Sequence, residues 1–313
     1  MKIAILGGGS WGTALAVHLA KNGHDIKVWE FFEEQAQQMQ TDRVCKLLPE
    51  IKLQDNIFIS HQMDQVINDT ELVLLVVPSD KAAITIKSAS TYLNNQPIII
   101  CSKGFADNLR LLTDVVKEYS NEVYCLYGPT HAEEICKGMF SGIVLAGNGN
   151  LENMKKVIES DYLKVDLSDD LVGVQVASAL KNILAVFAGV LDGMKLGDNA
   201  QAYLMTKGLE EIKQVGLAWG AKEETFYGLA GIGDIIVTCS SKHSRNRSLG
   251  NEIGKGRKLD EVIEGMSMVA EGVNTAKLIP EIINKFNIKI PLMSGLYDIL
   301  FNGKDPKEII NEI

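Results

Sequence analysis

The residues able to do chemistry in this 313-residue chain lie far apart in the sequence. Near the start, Gly7-Gly8-Gly9-Ser10-Trp11-Gly12 fits the pattern G-x-G-x-x-G. It directly follows an apolar run and opens a stretch with helical spacing, the context in which this pattern holds a dinucleotide. There Gly7 permits a tight turn, Gly9 lets a pyrophosphate approach the backbone, and Gly12 lets helix and strand pack closely. The helix N-terminus adds free N–H groups and the positive end of its dipole. A glycine turn with no ligand is the alternative. A second apolar run ends at Trp29, and Glu30 follows. An acidic side chain about 20 residues past the turn accepts hydrogen bonds from the adenosine ribose and repels a 2′-phosphate. That favours NAD over NADP, with no arginine until Arg43; the competing reading is a solvated charge near Glu33 and Glu34.

Residues 171–191, LVGVQVASALKNILAVFAGVL, are apolar except for Gln175, Ser178, Lys181 and Asn182. Spacings of three and four place these on one helical face. A lysine buried there is costly unless partnered. Desolvation lowers such a lysine's pKa, so it can give and take a proton near neutrality. A lysine reaching water from a helix edge is the alternative. Lys242, His243, Arg245 and Arg247 form a local basic cluster in a chain of net charge -9. A guanidinium there suits a phosphate, with a solvated basic loop as the alternative.

The elements that must position these residues change character along the chain. Residues 2–6, 26–29, 72–77, 98–102, 123–126 and 142–146 are short apolar runs, separated by helix-like stretches such as 11–22 and 109–119. Continuously apolar strands alternating with helices predict a parallel sheet covered on both faces. The expected fold is α/β: an N-terminal Rossmann-type, doubly wound parallel sheet over residues 1–168. An all-helical C-terminal domain, holding substrate and catalytic groups, follows over 169–313. Ser168-Asp169-Asp170 offers a cap and an acidic first turn for its first helix.

Composition narrows the partners. Lys and Arg total 31 against 40 Asp and Glu, which disfavours nucleic acid or an anionic membrane surface. A small anionic substrate needs only a local cluster. The cysteines Cys45, Cys101, Cys125, Cys136 and Cys239 form no CxxC pair and no Cys/His ligand spacing. They read as reduced, buried thiols, with no metal site expected. Ile3 to Leu6 is too short an apolar run for a signal peptide, and no run approaches membrane-spanning length. A cytoplasmic protein without membrane insertion is expected.

Lys181-Asn182 within ALKNILA resembles the central motif of NAD(P)-dependent glycerol-3-phosphate dehydrogenases. The resemblance covers essentially the whole chain: GGGSWGTALA at the start, VVPS ending at Ser79, SKG from Ser102, and GPTHAEE from Gly128. It continues through GIGD ending at Asp234, SRNR from Ser244, and Glu271-Gly272. It implies hydride transfer between dihydroxyacetone phosphate and sn-glycerol 3-phosphate, with NAD preferred and NADP as the other cofactor. It also implies a supply of glycerol 3-phosphate for phospholipid synthesis, and a homodimer.

Residue by residue, the resemblance implies that Lys181 is the general acid/base. Lys103 and Asp234 orient the substrate, with Lys103 also near the nicotinamide. Ser244, Arg245 and Asn246 grip the phosphate, with Arg245 also near the cofactor. Gly128 and Thr130 contact substrate, while Ser10, Trp11, Ala132 and Glu271 contact cofactor. The chemistry of the residues agrees, since Lys103 follows an apolar strand, at the end where open α/β sheets bind ligands. Tyr127, before Gly-Pro, and Lys207, in TKGL, depart from the family's usual residues. A related two-domain dehydrogenase of a hydroxy acid is disfavoured by SRNR and GIGD. A non-catalytic dinucleotide sensor would not need Lys181, Lys103 and Asp234 together.

Overall fold

The computed structural model describes residues 1–241, 244–266 and 270–312. It divides into two compact units, Met1–Leu171 and Val172–Ile313.

The first unit is built on an eight-stranded sheet. From one edge its strands are Leu163–Ser168, Ser141–Gly147, Val123–Tyr127, Ile98–Ile100, Leu72–Leu75, Lys2–Leu6, Asp25–Trp29 and Ile57–Ser60. The order of the chain's successive strands reverses between Lys2–Leu6 and Leu72–Leu75, which pair in parallel. Such a reversal opens a crevice at the C-terminal ends of the strands. Ile3 to Leu6 are wholly buried, as are Leu72 to Leu75 to within 1%. Their continuous apolar character follows from being covered on both faces.

The doubly wound parallel sheet is present, with one antiparallel pairing, between Val123–Tyr127 and Ser141–Gly147. Residues 128–140 carry only the short helix Ala132–Lys137 and bring the chain back at the end it left. A parallel neighbour needs a longer crossover. Both edge strands lie outside the apolar runs. Leu163–Ser168 alternates buried and exposed residues at its start, because one face meets water. The helix expected over 109–119 is shorter, Leu112–Val116, because Arg110–Leu111 pairs with Phe105–Ala106 in a small hairpin.

The second unit is helical among the described residues. Its central element, Leu171–Gly193, corrects the expectation that no run approaches membrane-spanning length: it is long and apolar enough to cross a membrane, yet 89% of its most apolar stretch is buried in the protein. At its entry the Ser168 hydroxyl accepts the Asp170 N–H at 3.1 Å. Helix Arg245–Gly254 crosses it backbone to backbone: a β-carbon on Gly250 would lie 1.9 Å from the Val186 carbonyl oxygen. Asp234–Ser240 follows a π-helical turn, Leu229–Gly233. All five cysteines are free and buried.

Candidate active site

In the first unit the glycine turn joins strand Lys2–Leu6 to helix Ser10–Lys21. Gly7 sits at φ 125°, a conformation that a side chain strains, and its N–H donates to the Trp29 carbonyl at 3.0 Å. A β-carbon on Gly12 would lie 1.9 Å from the Gly7 carbonyl oxygen, so helix and turn touch. Apart from its chain neighbours, nothing among the described residues lies within 4 Å of where a Gly9 β-carbon would be. Among the described residues no side chain caps the helix's first N–H groups, and no acidic residue stands in the first turn. Trp11 Nε1 is buried without a hydrogen-bond partner among the described residues. An uncapped N-terminus behind a clear approach fits a pyrophosphate.

Glu30 is 7% exposed, which excludes the solvated alternative. Its Oε1 accepts the Phe32 N–H at 3.1 Å. Burial pushes the carboxyl above the usual carboxylate range, while the N–H groups of Phe32, Phe31 and Gly8 oppose that rise.

Lys103 follows strand Ile98–Ile100, at the same end of the parallel strands as the glycine turn. Its ammonium donates to the Gly128 carbonyl at 3.4 Å. The Thr130 N–H reaches the same oxygen at 2.9 Å and the Thr130 hydroxyl at 3.4 Å. One carbonyl thus gathers Lys103, Gly128 and Thr130. Tyr127, a departure from the family pattern, donates its buried hydroxyl to the Ser102 carbonyl at 2.6 Å, beside Lys103. Ala132, buried, opens the next helix.

In the second unit Lys181 is buried, which excludes the helix-edge alternative. Its ammonium pairs with the Asp234 carboxylate and donates to the Thr238 hydroxyl at 2.7 Å. Thr238 lies four residues beyond Asp234 on helix Asp234–Ser240, so both present one face to the lysine. Sequence reasoning missed Thr238, although that spacing was legible. Of the polar face of the long helix, Gln175, Ser178 and Asn182 are also buried. The Ser178 hydroxyl has no partner among the described residues. Asn182 Oδ1 accepts from Asn246 Nδ2 at 3.0 Å, and Asn246 Oδ1 accepts the Gly272 N–H at 2.9 Å. Asn246 therefore ties the lysine helix to the helix that begins at Glu271.

Ser244 is the N-cap of Arg245–Gly254, its hydroxyl accepting the Arg247 N–H at 3.3 Å. Arg245 is exposed at the first helical position. A guanidinium at a helix N-terminus suits an anion. Arg247 is committed elsewhere, to Asp192 at 2.6 Å and the Ser240 carbonyl at 2.8 Å. Lys242 and His243 of the basic cluster lie outside the described residues.

Residues 2–153 match the family model of the NAD-dependent glycerol-3-phosphate dehydrogenase N-terminus, and residues 170–311 that of the C-terminus. The chain is 38% identical to a glycerol-3-phosphate dehydrogenase (NAD(P)+) of Fusobacterium nucleatum, covering 100% of this chain and 96% of that protein. It is 40% identical to one of Bacillus mycoides, covering 100% and 95%. The crystal structure of glycerol-3-phosphate dehydrogenase from Coxiella burnetii superimposes with a TM-score of 0.96 at 31% identity, over 99% of this chain and 98% of that one. A ketopantoate reductase of Ralstonia eutropha shares the fold alone, with a TM-score of 0.64 at 16% identity.

Proposed function

The chain belongs to the NAD-dependent glycerol-3-phosphate dehydrogenase family, and we propose that Lys181 is the general acid/base of its reaction. The enzyme interconverts dihydroxyacetone phosphate and sn-glycerol 3-phosphate with NAD(H) or NADP(H). The observation that carries the assignment of Lys181 is its burial against Asp234 and Thr238.

When bound, the nicotinamide supplies a hydride to the carbonyl carbon of dihydroxyacetone phosphate or takes it back from the alcohol. Lys181 gives a proton to the oxygen of that carbon as the alcohol forms, and removes it in the reverse direction. Asp234 holds the lysine's charge, and Thr238 fixes its direction. Ser244 and Arg245, at the N-terminus of their helix, grip the phosphate, with Asn246 bracing that helix on Asn182. Lys103, Gly128 and Thr130, gathered on the Gly128 carbonyl, contact the substrate as well. Ser10, Trp11, Ala132, Arg245 and Glu271 contact the dinucleotide.

Glu30 accepts from the adenosine ribose and favours NAD. Its burial beside the glycine turn supports that preference. The enzyme supplies glycerol 3-phosphate for phospholipid synthesis in the cytoplasm, a location supported by five unpaired, buried thiols. It acts as a homodimer, which sedimentation tests. Absorbance of the nicotinamide band, followed with dihydroxyacetone phosphate and NADH, tests the reaction. Comparing Lys181→Ala under the same conditions tests the assignment of the proton.

A further inference from the structure

The second residue of the glycine turn has no assigned part in the G-x-G-x-x-G pattern, yet its surroundings here are specific. A β-carbon built on Gly8 would lie 2.5 Å from Glu30 Oε2, 3.1 Å from Glu30 Cβ and 3.4 Å from Glu30 Cδ. Apart from its chain neighbours, the three nearest atoms among the described residues all belong to this one side chain. Gly8 is not among the glycines with positive φ, so its backbone does not itself exclude alanine.

The space is occupied from a fixed frame on both sides. The Gly8 carbonyl accepts the Thr13 hydroxyl at 3.2 Å and the Cys45 thiol at 3.7 Å, which pins the turn. The Glu30 N–H donates to the Ser60 carbonyl at 3.0 Å, which pins the backbone of Glu30. Its Oε1 is held by the Phe32 N–H at 3.1 Å. With both backbones fixed, a methyl group at position 8 is relieved only by moving the carboxylate.

We infer that Gly8 is a positioning residue for cofactor selection: its missing side chain is the space in which the Glu30 carboxylate is seated on the dinucleotide turn. This rests on the reading above, that the turn holds the dinucleotide and that Glu30 meets the ribose. Seated there, the carboxylate has its geometry set before the cofactor arrives and cannot swing towards solvent to escape a 2′-phosphate. Selection between the two cofactors then belongs to the Gly8–Glu30 pair rather than to Glu30 alone.

The test is direct titration of NADH and NADPH by nicotinamide fluorescence, without substrate, on the wild type, Glu30→Gln, Gly8→Ala and the double variant. The wild type should bind NADH more tightly by about tenfold or more, and Glu30→Gln should remove most of that ratio. Gly8→Ala should narrow the ratio several-fold with Glu30 in place, and should change it little once residue 30 is glutamine. If Glu30→Gln keeps the wild-type ratio, or the wild type has no preference, the underlying reading of Glu30 falls and the inference with it. If Glu30→Gln collapses the ratio while Gly8→Ala leaves it intact, that reading stands and the inference about Gly8 is overturned. An equal effect of Gly8→Ala in both backgrounds also overturns it, because the turn rather than the carboxylate would be responsible. Should Gly8→Ala not fold, Glu30→Asp tests the same seat. It keeps the charge but withdraws it by one methylene, and an unchanged ratio would contradict the placement.

Discussion

The ammonium of Lys181 and the carboxylate of Asp234 form an ion pair in which the residues are only 5% and 1% exposed. A pair so far from water is a weak source of stability, since desolvation offsets much of the attraction. Breaking it is expensive, because one charge stays buried and unpaired. Asp234→Ala should therefore cost about 3–5 kcal/mol in urea denaturation. The double variant Lys181→Met/Asp234→Ala should recover much of that loss. Strictly additive losses would show that the two side chains do not depend on each other.

The phosphate assignment concerns Arg245, exposed at the first position of helix Arg245–Gly254. A charge-assisted contact of about 1.5–3 kcal/mol corresponds to roughly a tenfold to 150-fold rise in KM for dihydroxyacetone phosphate in Arg245→Ala. Unphosphorylated dihydroxyacetone should be a very poor substrate of the wild type, and the substitution should hardly affect its turnover. Equal reduction of the two substrates by the wild type would remove the phosphate grip.

Glu211 makes the helical unit sensitive to pH. It is buried, and accepts the N–H groups of Leu292 at 2.7 Å and Met293 at 3.0 Å, at the start of helix Pro291–Phe301. Burial pushes its carboxyl up to about 7, against the opposing pull of those N–H groups. A carboxyl raised by folding binds more protons in the native state, so stability falls as pH rises from about 4.5 towards 7 and levels off above. Glu211→Gln, which cannot ionise, should gain on the wild type across that window by up to roughly 3 kcal/mol. Thermal midpoints measured at intervals from pH 5 to 8 check this. A constant difference between the two proteins would contradict it.

Tyr127 tests the frame around Lys103. Its hydroxyl is the donor to the Ser102 carbonyl, and Tyr127→Phe leaves that carbonyl short of a partner at a cost of about 1–3 kcal/mol. The urea midpoint should fall, and the KM for dihydroxyacetone phosphate should rise as the loop bearing Lys103 loosens. An unchanged midpoint would show that the hydrogen bond does not hold the loop.

Much of this was legible in the sequence, for reasons that differ between residues. The strands bearing Ile3 and Leu72 read as continuous apolar runs because both of their faces are buried. The edge strand at Leu163 did not, because it alternates. Lys181 stood out as the one cation in an apolar helix. Its partner Asp234 is 53 residues away, and only the family resemblance pointed to it. Thr238 was within reach, four residues beyond Asp234. Glu30 could be read as a solvated charge or as a ribose acceptor, and only its burial in the folded chain removes the first. Gly8 itself carried no signal, because the glycine pattern treats its position as free.

This chain moves a hydride between nicotinamide and a phosphorylated three-carbon ketone, and the proposed proton carrier is Lys181. Nicotinamide absorbance with dihydroxyacetone phosphate, followed in the wild type and in Lys181→Ala, tests it most directly. The wild type should oxidise NADH only when the ketone is present. Lys181→Ala should turn over about 10²–10⁴-fold more slowly while binding NADH as the wild type does. A wild type that leaves NADH untouched, or a Lys181→Ala variant of near-normal turnover, would contradict the account.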